Sequence, residues 1–464
     1  MVYWKEQIDI LKKQANFQEV AEIYLKIADL NRDTFKNIHK EKENIQFAIH
    51  FLKHKADILQ EFNELEELSR IYQNIANLFS RISNLKKAIQ YNKMAIKLAR
   101  EHGFYQILSF TYQQLFNCFS ELRDYNSAKE VLLIAIEYFA NECLKYENEE
   151  ILNLNLSELY QIIKRLYYLL NDADDYISYA KKEASSYIRI AQSLGTESKD
   201  AERKATLYRG AALCYQEIDN NIIECASCFY LSGNFFRSID KFTDAGESYN
   251  NSAHVFEEIG NYQKAYELYF KAGINYQNGK DLQPCLENFL KAYDLTLEAK
   301  IQFNKEELYN SIIQGLNQFA KNKIRSKQFY IAATSILESL KFYTSTENFN
   351  SVLFLEMIKR VSNNYYKAAN FKKIRKKNIL YAYFLAAISS LLTNRIDKAK
   401  KIMNEIESDG AIVERYKSIV NYIITLLNEN KKVSIDNFPE TLQNFINRYD
   451  EVNYLISLFD VFSE

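Results

Sequence analysis

Two prolines and ten glycines in 464 residues are too few to punctuate a sheet protein or a Rossmann-like array, and favour long helices joined by short turns. The six cysteines fall mostly within helical patterns, which fits a reducing cytosol and gives no disulfide framework. Long apolar runs are missing too. A long uncharged stretch, Asn378 to Asn394, is 17 residues and includes two serines, so it reads as a buried helix rather than a membrane span. Met1-Val-Tyr-Trp-Lys5-Glu6 runs straight into an amphipathic pattern with no apolar segment of a secretory signal. Phosphate-cradling glycine loops, dinucleotide fingerprints and nucleophile-elbow motifs are absent, so nucleotide binding and serine-hydrolase chemistry have no support in the sequence. The length allows two to three domains or one long solenoid.

Aromatic residues are abundant, with 35 tyrosines and 30 phenylalanines, and between Glu224 and Lys300 they keep a register. Small residues stand at Ala226, Ala245, Ala265 and Cys285, spaced 19, 20 and 20 apart. Four positions after each comes a ring: Tyr230, Tyr249, Tyr269 and Phe289. Seven after each comes another small residue: Gly233, Ser252, Ala272 and Ala292. These offsets share one helical face, so helices of similar length must stack side by side, with each ring filling the gap between close backbones. The run Gly260-Asn-Tyr262-Gln-Lys-Ala265-Tyr-Glu-Leu-Tyr269-Phe-Lys-Ala272 resembles the second helix of a tetratricopeptide repeat, here with a helix pair of about 40 residues. Phe17, Val20, Tyr24 and Ile27, then Leu85, Ala88 and Ala95, then Tyr125, Ala128, Leu132 and Ala135 keep degenerate versions of the spacing. The expected fold is therefore all-α: a right-handed solenoid of tetratricopeptide-like hairpins. A loop is expected at Lys145 to Glu150, and Ser193 to Lys204 reads as the boundary of two sub-domains or as a turn. Helices over Val413 to Asn428 and from Pro439 to Phe459 read as a closing C-terminal helical bundle. The expected domains are 1–200 (N-terminal repeats), 201–378 (a second repeat segment) and 379–464 (the bundle).

Charge is balanced overall at −1 but unevenly placed. From Lys321 to Lys401 there are 17 basic residues against 4 acids, leaving the remainder acidic. Between Met357 and Ile396 there is no acid, while Lys359, Arg360, Lys367, Lys372, Lys373, Arg375, Lys376, Lys377 and Arg395 all occur. Such a segment is either a solvated helical face or a surface for an acidic partner. Interleaved Tyr365, Tyr366, Phe371 and Tyr381 admit single-stranded nucleic acid as a lower-ranked reading, but the chain as a whole is not basic. Other candidates are weaker. Cys225-Ala-Ser-Cys228 has redox or zinc spacing but lacks a second ligand pair. His50 and His54 stand one turn apart without the glutamate of a zincin. Acid pairs such as Glu66-Glu67 and Glu257-Glu258 point to different sides of a helix. No catalytic residue, metal site or cofactor is expected.

From Glu224 onward the sequence resembles the SNAP family of soluble attachment proteins. The resemblance rests on Asn234-Phe-Phe236 followed by Ala245-Gly246, Tyr249 and Ala253, and on the register continuing from Gly260 through Leu286 to Ala292. It extends to Tyr381-Ala-Tyr-Phe384-Leu-Ala-Ala387 before Ile396-Asp-Lys-Ala399, and to Tyr449-Asp450. It implies a non-enzymatic adaptor that binds SNARE-like helical bundles and links them to an AAA ATPase in vesicle traffic and membrane fusion. Its location would be cytoplasmic, with peripheral membrane contact allowed. Lys359, Arg360, Lys367, Lys372, Lys373, Arg375, Lys376 and Lys377 would bind the partner, and no nucleic acid is expected. The repeats before Glu224 are additional to the family pattern. The chain's end, Leu458 to Glu464, differs from the basic, leucine-bearing tail by which the family stimulates its ATPase. The alternative is a generic repeat scaffold for another assembly, and less favoured is an RNA-binding repeat protein.

Overall fold

The computed structural model describes residues 2–148, 154–218, 221–347, 349–371, 376–406 and 410–461. Among them are 22 α-helices, one short 3-10 turn and no strand. The helices are mostly about 17 residues long, and most pack chiefly on their neighbours in the chain, as stacked tetratricopeptide-like hairpins do; Ala411–Asn428 and Asp450–Val461 instead pack chiefly on Lys376–Leu391.

One turn recurs. Between Leu65–Arg81 and Leu85–His102 the chain passes through Ile82, Ser83 and Asn84. Ser83 takes φ 63°, the Asn84 N–H donates to the Phe79 carbonyl at 2.8 Å, and the Asn84 side chain accepts from the Lys87 N–H at 3.3 Å. The same left-handed residue closes the preceding helix at Asn63, Arg123, Asp240, Gly260, Lys280 and Lys327. Each of these except Gly260 holds the left-handed conformation with a side chain, at a cost of roughly 1–2 kcal/mol. Ten glycines suffice for so many turns because tertiary packing overrides that preference.

The chain divides into two compact units: residues 1–195 with 210–221, and residues 196–209 with 222–464. The helix Ser198–Gln216 contributes to both. In the first unit the cores centre on Val20, Ala48, Ile75 and Ala88, and on Leu108, Leu132, Phe139 and Ile163. Tyr125, the ring expected at the head of its repeat, is exposed because it opens its helix, and the packing face begins with Ala128. Of the loop expected at Lys145 to Glu150, the part to Asn148 continues the helix Tyr125–Asn148, where Lys145 pairs with Glu142 at 2.6 Å; Glu149 and Glu150 lie outside the described residues. Lys164 Nζ lies 2.9 Å from Glu183 and 2.7 Å from Glu217, and the Tyr176 hydroxyl donates to Glu217 at 2.9 Å. Burial alone would lower the Lys164 pKa, but the two carboxylates outweigh it and hold the ammonium above its ordinary value.

In the second unit the register holds. Ala226, Ala245, Ala265, Cys285, Tyr249, Phe289, Ser252, Ala272 and Ala292 are all fully buried. Tyr230 is the exception: it sits at the edge, and the neighbouring Phe229 takes the core position. Helical glycines receive the rings. A Cβ on Gly273 would lie 2.6 Å from the Phe289 ring, and one on Gly233 would lie 2.8 Å from Tyr249. The C-terminal bundle forms around Lys376–Leu391, with Ala382, Phe384, Leu385, Ala386, Ala387 and Ile388 all buried. A helix apolar on every side is an interior helix, which accounts for the long uncharged run. Phe384 stacks on Tyr416 at 4.2 Å, and the Tyr381 hydroxyl donates to Glu451 at 2.9 Å. The closing segment is two helices, Glu440–Ile446 and Asp450–Val461, rather than one from Pro439. Among the described residues no helix is long and apolar enough to cross a membrane.

Substituting Gly273→Ala is expected to destabilise the chain by about 1–3 kcal/mol in denaturant unfolding, because the ring has nowhere to go. Gly410→Ala, where open space surrounds the position, should stay within about 0.5 kcal/mol. Lys164→Ala should cost about 3–5 kcal/mol by stranding the buried Glu183, and a melting curve matching the parent would refute the pairing.

Candidate partner-binding surface

The basic segment begins on the helix Ser351–Ala369, which Asn350 caps by accepting from the Val352 and Leu353 N–H groups. One face of this helix is consumed by the core: Phe354, Met357, Ile358, Val361, Tyr365 and Ala368 are buried. That leaves Arg360, Asn363 and Lys367, three to four residues apart, along the opposite stripe. Lys367 is exposed with Nζ 5.7 Å from the centre of the Phe329 ring, and Arg360 is half-buried. Lys359 is also half-buried but points about a quarter-turn away from Arg360.

The fold adds a residue that spacing did not single out. Lys398 on Ile396–Asn404 donates from Nζ to Asn363 Oδ1 at 2.7 Å. Partial burial, with Arg395 adding repulsion, lowers the Lys398 ammonium below its ordinary value. Arg360, Lys367 and Lys398 thus converge around Asn363, with exposed Arg395 nearby in the same helix–turn. Among the described residues none of Lys359, Arg360, Lys367, Arg395 or Lys398 forms an ion pair. Elsewhere in the unit Lys341 is already matched to Glu338 at 2.7 Å. Lys372, Lys373 and Arg375, and the side chains of Lys376 and Lys377, lie outside the described residues.

The interleaved aromatics are structural. Tyr365 is fully buried, Tyr366 donates to Glu405 at 3.1 Å, Phe371 meets Phe329 edge-on at 5.9 Å, and Tyr381 donates to Glu451. Side chains tied down in this way do not form a stacking platform for bases. What the surface can do is charge recognition by spread cations, each worth little alone, acting on an extended acidic face.

The other sequence candidates are placed as follows. Cys225 and Cys228 are buried in the core of Ile222–Ser238, where desolvation pushes their thiols up to about 12 and about 11. Cys228 adds to the shift at Cys225, and Glu224 to that at Cys228. His50 and His54 bring their Nε2 atoms within 3.3 Å on an exposed face, with Phe17 and Phe51 against their rings.

Residues 173–351 match the family "Soluble NSF attachment protein, SNAP". This SNAP-like segment covers less than half of the chain. It opens at Ala173, two helices earlier than the motifs that set in at Glu224, and closes at Ser351, before the basic residues and the bundle. No curated protein matches the chain. Among solved structures, apo RapI is similar at 16% identity and TM-score 0.25, covering 60% of this chain and 90% of its own. A circular tandem repeat protein is similar at 12% identity and TM-score 0.25, covering 97% and 95%. Yeast Tom70 is similar at 13% identity and TM-score 0.17, covering 93% and 99%. The tetratricopeptide-like stacking of the SNAP-like segment rests on its own helices and turns.

The buried thiols give a direct check. At pH 8 a thiol raised to about 11 or 12 is almost wholly protonated, so Cys225 and Cys228 should resist a thiol-disulfide reagent in the folded chain and react fully in urea. Their preference for the neutral form is present below the ordinary thiol range. It is lost as pH rises through about 11–12, so unfolding should become easier there. Fast labelling of the pair in native conditions would contradict the packing.

Proposed function

We propose that this chain is a SNAP-like adaptor: a non-enzymatic scaffold that holds a SNARE-like bundle of acidic helices and presents it to an AAA ATPase. The observation that carries the reading is the SNAP match over residues 173–351, on helices stacked by ring-and-small-residue contacts. A stack of this kind is stiff in each hairpin, and so can offer a fixed row of charges to a partner without reorganising.

Lys359, Arg360, Lys367, Lys372, Lys373, Arg375, Lys376 and Lys377 are the proposed contacts, and Lys398 joins them through Asn363. Their mechanism is cation–carboxylate pairing spread along an irregular acidic surface, with affinity that falls as salt rises. The proposed division of labour is 1–200 as additional repeats, 201–378 as the adaptor body and 379–464 as the bundle that fixes its last helices. Action at the cytoplasmic side of membranes, as a peripheral component of fusion or vesicle traffic, belongs to the same proposal.

A second reading has its own support. The matching segment stops at Ser351, short of every proposed contact residue, which favours a SNAP-like body put to use in another assembly.

The test is binding of an assembled, acidic four-helix SNARE-type bundle to the full chain by calorimetry at two salt concentrations. The double variant Arg360→Glu with Lys367→Glu should weaken binding by roughly ten-fold while the melting temperature is kept. An AAA ATPase should co-sediment only when the bundle is present. Absence of bundle binding, or binding indifferent to both the variant and salt, would sink the adaptor reading.

A further inference from the structure

A second surface lies in the first unit, on residues that the adaptor reading does not use. The helices Leu85–His102, Tyr105–Glu121 and Tyr125–Asn148 enclose a cleft of about 610 Å³. Its floor is apolar, made by Ile96, Leu115, Phe119, Val131 and the exposed Ile134.

One wall is cationic. Lys93, Lys97 and Arg100 follow one another at helical spacing, and Lys86 extends the stripe by two turns. All four are exposed, and none forms an ion pair among the described residues. The helix they share carries five basic side chains besides His102 and one acid, Glu101. Two acids stand at the cleft, Glu101 on the same helix and Glu130 on the far wall, where the apolar Leu133 and Ile134 are also exposed. Arg100 is held in place, its guanidinium 4.7 Å over the Tyr138 ring.

Tyr112 also lines the cleft but is only 3% exposed; burial raises its pKa, and the neighbouring Arg100 offsets part of that rise.

We propose that this cleft binds an acidic amphipathic helix of a partner protein. The helix's apolar side chains would lie over Ile96, Val131 and Ile134, and its carboxylates would face Lys93, Lys97 and Arg100. Glu130, on the other wall, sets the orientation by repelling acids there, so the acidic edge of the guest runs along Leu85–His102. This inference does not depend on the SNAP match, since the cleft lies before Ala173.

The probe is a synthetic amphipathic peptide of about four helical turns, with leucine on one face and glutamate along one edge. Two control peptides go with it: one with lysine replacing the glutamates, and one with serine replacing the leucines. Fluorescence anisotropy with the full chain should give saturable binding of the acidic amphipathic peptide, and both controls should bind at least about ten-fold more weakly. Lys93→Glu with Lys97→Glu should lose about ten-fold, and so should Ile134→Asp, an exposed position where folding is not at risk. Failure of the acidic peptide to bind would overturn the inference. So would equal binding of the serine control, which would reduce the surface to bulk charge, or binding unaffected by both variants.

Discussion

The structure depends on rings laid against helix backbones. Phe289 can sit on Tyr262–Asn278 because Gly273 offers no Cβ, and Tyr249 sits on Ile222–Ser238 because Gly233 offers none. Tyr276 uses Gly246 in the same way, at 3.0 Å from where a Cβ would stand. A ring so placed removes a large apolar area from water and fixes how far apart the two helices run. The tyrosines among them keep their polar ends satisfied at the edges: Tyr249 donates to Asn234 at 2.7 Å and Tyr269 to Glu257 at 2.5 Å. Helix length, turn length and register all follow from repeating this contact every twenty or so residues.

That packing decides what is left for recognition. Aromatic side chains that could have served a nucleic acid are spent inside: Tyr365 is fully buried, and Tyr366, Phe371 and Tyr381 are pinned by named neighbours. The surface beside them carries Arg360, Lys367 and Lys398 around Asn363, while Glu405 and Glu451 are engaged by tyrosine hydroxyls. Charges without partners in their own fold are free to recruit carboxylates elsewhere. The two basic surfaces described above differ in this respect. The one around Asn363 is built on charge, whereas the cleft along Leu85–His102 combines charge with an apolar floor.

The second unit was largely legible in the sequence. Ala226, Ala245, Ala265 and Cys285 lie where their spacing put them, and the uncharged run became the interior helix of the bundle. Reading failed where composition and geometry part ways. Lys145 to Asn148 carries charge that suggests a loop, yet a helix tolerates charge when the residues pair at i, i+3 and no breaker intervenes. Tyr230 and Tyr125 had the right offset but stand at an edge or a helix start. The turns carried little signal, because Arg123, Asp240, Lys280 and Lys327 occupy a conformation that local preference assigns to glycine.

By itself the sequence determined that this chain is helical, that its helices share a length and a small–ring–small face, and where its positive charge is concentrated. These properties are written in local periodicity and composition, which need no partner to be read. Only the tertiary structure decided that Lys398 stands with Asn363, that the rings of the basic segment are unavailable, and that Arg100 lies over the Tyr138 ring at the edge of an apolar cleft. Each of those depends on which residues from different helices meet, and side-chain burial and pairing are settled by that meeting rather than by the order of residues along one strand of chain.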